Sequence, residues 1–219
     1  MITLTIDGRE IGAQEGWTVL KAAQNVGIEI PTLCHHEALS ASGACRLCSV
    51  EVTTKRGRNR VVASCLYPVE EGLNVQTNSE KIKRLRRGLM ELLLARCPSS
   101  EKIRDMARHM GITELRFRLE GEECILCGLC VRVCQEICEA RAISAVNRGT
   151  KKEIAAPFYD LAETCIGCGG CAYVCPTGAI RIEDNKIRLG DKIFKELSPE
   201  EVKKVEEKLG AGEEAVKKG

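Results

Sequence analysis

Apolar and polar residues alternate over the first stretch of the chain, where Ile2, Leu4 and Ile6 are separated by polar side chains. A period of two residues is typical of a half-buried β-strand. The pair Asp7-Gly8 follows at once and is a strong signal for the tight turn of a β-hairpin. We therefore predict that residues 1–13 form a strand pair.

A helix is predicted next, because apolar residues recur with a 3.6-residue period behind Thr18 and stop at Gly27. Alternation returns over residues 49–53 and 60–64, on either side of a basic turn, and predicts a second hairpin. Strands, a helix and strands again are typical of a small β-grasp module. We expect this module to span residues 1–78.

The apolar spacing becomes helical again over residues 79–96 and predicts an amphipathic helix. Its apolar positions are Ile82, Leu85, Leu89, Leu92 and Leu93. The basic residues on its other faces are Lys81, Lys83, Arg84, Arg86 and Arg87. Pro98 ends this helix, and Ser99 or Ser100 can cap a second one. We expect a basic helical linker over residues 79–118.

The last predicted helix begins at residues 198–201, where SerProGluGlu forms a capping box with proline at the first helical position. Its apolar face contains Val202, Val205 and Leu209. We expect a C-terminal helical tail over residues 186–219, frayed over its last ten residues.

The amino-acid composition limits the classes of protein to which this chain can belong. Of the 219 residues, 44% are apolar and 29% are charged, which is typical of a folded chain. The longest apolar run is far shorter than the roughly 20 residues that a membrane helix needs. No secretory signal begins the chain, so we expect a cytoplasmic protein. A net charge of +2 and 3% aromatic residues do not favour nucleic-acid binding.

Positive charge is concentrated in the predicted linker. Residues 81–118 contain eleven basic and four acidic side chains. Two interpretations stay open. The charge forms a solvated face, or it forms a docking surface for an acidic partner, since such a patch speeds and orients association.

The 14 cysteines are the strongest chemical signal. In a reducing compartment, cysteines in such number are better suited to bind metal than to form disulfides. The spacing CxxCxxCxxxC occurs twice, in ECILCGLCVRVC at residues 123–134 and in TCIGCGGCAYVC at residues 164–175. In two-cluster bacterial ferredoxins, the fourth cysteine of such a motif binds the other cluster.

This arrangement predicts two [4Fe-4S] clusters. The ligands of one are Cys124, Cys127, Cys130 and Cys175. The ligands of the other are Cys134, Cys165, Cys168 and Cys171. Gly167, Gly169 and Gly170 lie inside the second motif, where they allow the loop to wrap around iron. The alternative is a pair of zinc sites, which would have no use for the third cysteine of each motif.

A third site is predicted in the β-grasp module, at Cys34, Cys45, Cys48 and Cys65. The loop that carries the first three is rich in Gly, Ala and Ser, so its backbone N–H groups can approach inorganic sulfide and stabilise its charge. These four cysteines predict a [2Fe-2S] cluster, and His35 and His36 are then not needed as ligands. The alternative is a set of buried thiols, because an isolated CxxC is weak evidence.

The stretch IPTLCHHEALSASGACRLCSVEV and the two cysteine repeats, the second extending to CPTGAI, carry a family resemblance. Residues 1–185 resemble the N-terminal iron-sulfur region of the large subunit of respiratory complex I. They are equally similar to the accessory region of [FeFe]-hydrogenases, the small iron-sulfur subunit of diaphorases and the front of NAD-dependent formate dehydrogenases. The resemblance implies an α+β fold, with a β-grasp [2Fe-2S] domain, linking helices and a two-[4Fe-4S] ferredoxin-like domain over residues 119–185.

The chain departs from these families at one motif. The relatives carry a further [4Fe-4S] motif of the form HxxxCxxCxxxxxC, whereas residues 97–109 read CPSSEKIRDMARH. We therefore expect Cys97 to be a buried thiol and His109 to lie on the surface or to pack between helices. Cys138, four residues after Cys134, is expected to pack in the interior or to serve as a reserve ligand.

The resemblance implies an electron-transfer subunit of a multi-subunit NAD(P)-linked oxidoreductase. The implied partners are a flavin-bearing NADH-oxidising subunit, a thioredoxin-like [2Fe-2S] subunit and a catalytic hydrogenase or formate dehydrogenase subunit, with ferredoxin added in electron-bifurcating complexes. The sequence has no Walker loop, Rossmann fingerprint or GxSxG motif, so we expect no catalytic site of its own.

Three other functions compete with this interpretation. An iron-sulfur subunit of succinate dehydrogenase or fumarate reductase is disfavoured, because the first motif here is Cx10CxxC rather than CxxxxCxxC. A zinc-binding scaffold would be colourless. A redox sensor usually needs one exposed, labile site rather than three sites with full ligand sets.

Overall fold

The predicted N-terminal hairpin lies at the edge of a five-stranded sheet in the computed structural model, which describes residues 1–117, 119, 123–205 and 207. The chain divides into two compact units, Met1–Leu119 and Glu120–Gly219. The strands of the first unit are β1 (Ile2–Ile6), β2 (Arg9–Ala13), β3 (Ser49–Thr53), β4 (Asn59–Ala63) and β5 (Asn74–Gln76).

The sheet has the strand order β2-β1-β5-β3-β4. Both predicted hairpins are present, and β5 joins them by pairing parallel to β1 and antiparallel to β3. Helix α1 (Val19–Asn25) packs on the sheet through Val19, Leu20 and Ala23, and the Thr18 hydroxyl accepts a hydrogen bond from the Lys21 N–H at 3.2 Å. This is the predicted β-grasp arrangement.

Two helices follow the sheet at the predicted places. Helix α2 (Glu80–Arg96) begins at Ser79, whose hydroxyl accepts from the Ile82 N–H at 3.2 Å. Helix α3 (Glu101–His109) begins after Ser100. The predicted end of α2 before Pro98 and the predicted start of α3 after Ser100 are therefore confirmed, although the Ser100 side chain makes no capping hydrogen bond.

The faces of α2 differ from the prediction. Leu92, predicted on the apolar face, is 55% exposed, whereas Met90 and Leu94 are buried. Arg86, predicted among the exposed basic residues, is only 6% exposed. It is buried because its guanidinium donates to the carbonyl oxygens of Leu47 and Ser49, at 3.0 and 2.8 Å.

The second unit contains a two-stranded and a three-stranded sheet. Its strands are β6 (Ser144–Val146), β7 (Glu153–Ala155), β8 (Ile180–Glu183), β9 (Lys186–Leu189) and β10 (Lys192–Glu196). Its short helices are α4 (Leu129–Arg132), continued by a π-helical turn (Val133–Ile137), and α5 (Gly170–Tyr173), with 3-10 turns at Gly149–Lys151 and Pro157–Tyr159. The core includes Ile154, Ile187 and Phe194.

The predicted helical tail over residues 186–219 is wrong for its first part, because residues 186–196 form β9 and β10. Ile187 and Leu189 are buried between exposed or half-buried neighbours, which is the two-residue period of a strand. Helix α6 follows over residues 199–205.

The capping box of α6 forms as predicted. The Ser198 N–H donates to the Glu201 carboxylate at 2.8 Å, and the Glu201 N–H donates to the Ser198 hydroxyl at 3.3 Å. The predicted position of Leu209 and the predicted fraying of the last ten residues lie outside the described residues. The boundaries at residues 78, 118 and 185 stay predictions. Across the described helices, none combines the length and apolar character that a bilayer span requires.

Candidate metal centres

The first set of cysteines is gathered by the β3–β4 hairpin and the loop before it. Pairing of Ser49 with Ala63 brings Cys48, one residue before Ser49, close to Cys65, two residues after Ala63, and their Sγ atoms lie 3.4 Å apart. In the loop, the Cys45 N–H donates to Cys34 Sγ at 3.4 Å. Gly43 has a positive φ of 64°, and a side chain there would clash with Leu66.

Hydrogen bonds within this first set perturb the thiols in pairs. The hydrogen bond with Cys45 lowers the pKa of Cys34 and raises the pKa of Cys45. The hydrogen bond with Cys65 likewise lowers the pKa of Cys48 and raises that of Cys65. Because metal binds thiolates, loading this site with iron must release the protons of the thiols whose pKa is raised.

The second and third sets are built from the two cysteine repeats of the other unit. Burial, and then the proximity of Cys127, Cys124, Cys171 and Cys175, raise the pKa of Cys130. Burial, and then the proximity of Cys165, Cys168 and Cys134, raise the pKa of Cys171 to about 12. The fourth cysteine of each motif therefore lies near the third cysteine of the other, Cys175 near Cys130 and Cys134 near Cys171, as in a two-cluster ferredoxin. Which thiolates bind iron stays a prediction.

Backbone N–H groups point at sulfur in both repeats. The Leu126 N–H donates to Cys124 Sγ at 3.4 Å and the Ala142 N–H to Cys134 Sγ at 3.3 Å. The Ile180 N–H donates to Cys175 Sγ at 3.4 Å. Donors in these positions stabilise a thiolate and the negative charge of a cluster attached to it.

Left-handed glycines shape the two loops. Gly128 and Gly169 have φ values of 73° and 72°, and each turns the chain into the short helix, α4 or α5, that carries the third cysteine of its motif. A Cβ on Gly169 would lie 2.7 Å from Val205 Cγ1, and one on Gly167 would lie 2.8 Å from Leu197 Cδ2. The loop around Cys168 is thus covered closely by the chain that leads into α6.

The cysteines and histidines left over have separate surroundings. Cys97 is fully buried, as predicted, and His109 is exposed with its Nδ1 2.8 Å from the Asp105 carbonyl oxygen. His36 Nδ1 accepts from the Ala38 N–H at 3.2 Å and so supports the loop turn. Cys138, expected to pack in the interior or to serve as a reserve ligand, lies half-buried with its Sγ 3.4 Å from Cys168 Sγ.

Two contributors to the sites were missed in the sequence. Arg86 anchors the backbone on both sides of Cys48, and nothing in a helical pattern distinguishes it from Arg84 or Arg87. The Thr177 hydroxyl donates to the Glu123 carbonyl oxygen at 2.8 Å and lies 3.7 Å from Cys175 Sγ. The sequence feature that could have indicated this role is the position of Thr177, two residues after the last cysteine of the second motif.

The residues present fit iron-sulfur clusters. Three sets of four cysteines are drawn together, with sulfur-directed N–H groups and with loops that side chains do not obstruct. Among the described residues, no three His, Cys, Asp or Glu side chains converge as ligands of a single metal ion.

Comparison with known families matches both units. Residues 1–80 match the 2Fe-2S iron-sulfur cluster binding domain, and residues 123–179 match the 4Fe-4S dicluster domain. Fold and site together define an α+β iron-sulfur protein with one [2Fe-2S] and two [4Fe-4S] clusters, as predicted.

Similar proteins belong to larger redox enzymes. The chain is 34% identical over 217 residues to the alpha chain of the NADPH-Fe(3+) oxidoreductase of Geobacter sulfurreducens, covering 86% of this chain and 25% of that one. It is 36% identical over 212 residues to the HndD chain of the NADP-reducing hydrogenase of Solidesulfovibrio fructosivorans, covering 82% and 36%. It is 33% identical over 207 residues to a chain of the NADH-quinone oxidoreductase of Rhizobium meliloti, covering 82% and 24%.

A solved structure is similar as well. A chain of an NAD+-reducing [NiFe]-hydrogenase, crystallised in the H2-reduced state, is 35% identical, with a TM-score of 0.62 and coverage of 71% of this chain and 75% of that one. The chain belongs to the family of iron-sulfur subunits that includes this hydrogenase chain. It spans only about a quarter to a third of the length of the curated relatives.

Proposed function

We propose that the chain is an electron-transfer subunit of a multi-subunit NAD(P)-linked oxidoreductase. It relays single electrons between a flavin-bearing subunit and either a catalytic subunit or ferredoxin. The observation that carries this proposal is the gathering of twelve cysteines into three sets. The names of the relatives, a hydrogenase and two oxidoreductases among them, support the enzyme class.

The proposed ligands follow the three sets. The [2Fe-2S] cluster is bound by Cys34, Cys45, Cys48 and Cys65. The [4Fe-4S] clusters are bound by Cys124, Cys127, Cys130 and Cys175, and by Cys134, Cys165, Cys168 and Cys171. The last two sets interlock, because each takes its fourth ligand from the other repeat.

When bound, an iron-sulfur cluster accepts and returns one electron at a time. The chain's own residues set how favourable that step is. Burial around Cys130 and Cys171 disfavours added negative charge, whereas the N–H groups of Leu126, Ala142 and Ile180 stabilise it. The balance of burial and hydrogen bonding therefore places each reduction potential.

The proposed partners are subunits that hold the nucleotide-binding and catalytic sites for which this sequence has no motif. A flavin-bearing NADH-oxidising subunit supplies electrons, and a thioredoxin-like [2Fe-2S] subunit accompanies it. The acceptor is a catalytic hydrogenase or formate dehydrogenase subunit, or ferredoxin in a bifurcating complex. The solved relative, an NAD+-reducing hydrogenase, supports the hydrogenase assignment most directly.

Anaerobic purification of the tagged chain from its own cells tests this proposal. We expect a flavin-bearing subunit to co-purify and the brown visible absorbance of the complex to bleach on addition of NADH or NADPH. The chain by itself should bleach with dithionite but not with a pyridine nucleotide. A colourless chain, or one that oxidises NADH unaided, would contradict the proposal.

A matched pair of variants separates ligation from folding. Cys171→Ser removes a proposed ligand and should lower the iron content by about four per chain, whereas Cys97→Ser changes a fully buried thiol outside the sets. Reduction of the complex by nucleotide should be impaired only in the first variant.

A further inference from the structure

Cys138 lies against a proposed cluster ligand without belonging to either cysteine motif. It closes the π-helical turn Val133–Ile137, and its N–H donates to the Val133 carbonyl oxygen at 3.0 Å. Its Sγ is 3.4 Å from Cys168 Sγ, a distance within hydrogen-bond range for two sulfur atoms. The widened turn after Cys134 therefore directs this side chain toward the second repeat.

Gly170 borders both sulfur atoms. A Cβ on Gly170 would lie 3.6 Å from Cys138 Sγ and 3.7 Å from Cys168 Sγ, which is ordinary van der Waals distance. Cys138 is half-buried, which limits competition by water for its S–H. The contact joins the π-helical turn to the loop that carries three proposed ligands.

The chemistry assigns the donor. A ligating cysteine is a thiolate and can only accept a hydrogen bond, whereas a cysteine outside the ligand set keeps its proton and can donate. We propose that Cys138 donates an S–H···S hydrogen bond to the Cys168 thiolate and thereby raises the reduction potential of the cluster bound by Cys134, Cys165, Cys168 and Cys171. This inference rests on the proposed function.

The sign follows from charge. On reduction the cluster gains one electron, while the proton stays on Cys138 and no covalent bond forms or breaks. A donor dipole aimed at a ligand sulfur stabilises the more negative, reduced cluster more than the oxidised one. Removing the donor should therefore shift the potential to a more negative value.

The internal repeat supplies a natural comparison. Cys138 follows Cys134 by four residues, and the residue four after Cys175 is Ala179, whose side chain has no hydrogen-bond donor. Cys134 accepts a hydrogen bond from the Ala142 N–H, and Cys175 accepts one from the Ile180 N–H. The two cubanes have the same ligand spacing and matching backbone donors to Cys134 and Cys175, so the Cys138 thiol is one feature that distinguishes them, beside the Thr177 hydroxyl 3.7 Å from Cys175 Sγ.

Redox titration of the anaerobic holoprotein, followed by electron paramagnetic resonance, tests this role. In Cys138→Ala we expect iron content to be unchanged and one of the two [4Fe-4S] potentials to fall, with the reduced-to-oxidised ratio at a fixed potential lower by about threefold, roughly 30 mV for one electron. Cys138→Ser keeps an O–H donor, so its [4Fe-4S] potentials should stay close to those of the wild type. Cys97→Ala, the matched control, should move no potential.

Three results would overturn the inference. Loss of about four irons in Cys138→Ala would make Cys138 a ligand. Unchanged potentials in that variant would mean that the sulfur contact does not affect the cluster. Equal shifts in the alanine and serine variants would assign the effect to packing or water entry rather than to a hydrogen bond. Each differs from failure of the proposed function, which would show as a wild-type chain without iron-sulfur clusters.

Discussion

At the scale of single residues, Arg86 links the helical linker to the proposed [2Fe-2S] site. Its guanidinium donates to the carbonyl oxygens of Leu47 and Ser49, the residues on either side of Cys48, and to the Asn78 side chain at 3.4 Å. Burial lowers its pKa, which nevertheless starts so high that the charge is kept. A buried cation with these partners holds α2 against the strand that begins at Ser49, next to Cys48.

We predict that Arg86→Ala lowers the free energy of unfolding by about 3 kcal/mol, because two buried carbonyl oxygens lose their donor at roughly 1–3 kcal/mol each. Guanidinium denaturation followed by circular dichroism measures this change. Arg84→Ala is the control, since Arg84 is exposed on the same helix and such changes cost within about 0.5 kcal/mol. Equal stability of the two variants would show that the buried contacts contribute nothing.

At the scale of elements, most of the basic side chains on α2 form ion pairs or hydrogen bonds within the chain. Lys81 pairs with Glu51 at 3.1 Å and Lys83 with Glu80 at 2.9 Å. Arg87 lies 3.6 Å from Glu91, and Arg86 is buried. These pairs favour the solvated face over the docking surface among the two interpretations that the sequence left open.

We therefore predict that Lys83→Glu, Arg84→Glu and Arg87→Glu, combined in one variant, leave the chain bound to its partner subunits. Co-purification at low and at high salt measures this. Arg86 stays unchanged in the variant so that folding is not altered. Release of the partners, with salt weakening the wild-type complex as well, would instead establish the docking surface, because exposed ion pairs are screened within about 10 Å at 0.1 M ionic strength.

Helix α6 depends on an ionised cap. The hydrogen bond from the Ser198 N–H lowers the pKa of Glu201 below its ordinary value of 4.5. Because the folded-state pKa is depressed, the cap contributes fully above pH 4.5 and is lost as the pH falls through the lowered pKa. The element that covers the Cys168 loop should therefore loosen in acid.

Hydrogen exchange of the Ser198 amide measures this loosening. We predict that its protection, relative to a core amide such as that of Ile187, decreases as the pH falls below 4.5. Glu201→Gln keeps a hydrogen-bond acceptor that does not titrate. Its protection ratio should be nearly independent of pH, and a ratio that falls equally in both proteins would rule out the carboxylate as the cause.

At the scale of the whole molecule, the sequence predicts those structural elements that local residues determine. Turn residues such as Gly8 and caps such as Thr18, Ser79 and Ser198 act on their own neighbours, so the hairpins and helix starts were predictable. The burial of Arg86 and the contact of Cys138 with Cys168 join residues about 30 or more positions apart, and periodicity carries no information about them. Strands β9 and β10 were missed because they are short and rich in charge.

Iron content is the measurement that tests the molecule as a whole. One [2Fe-2S] and two [4Fe-4S] clusters predict about ten irons per chain and a brown colour, since twelve of the thirteen cysteines within the matched domains belong to the three proposed ligand sets. Cys97 should not contribute, because it is buried at the end of α2 and the motif around it lacks the other ligands of a further cluster. Cys97→Ser should accordingly keep all of its iron in anaerobically purified protein. About fourteen irons in the wild type, with a loss of about four in this variant, would instead place a further cubane in the linker helices.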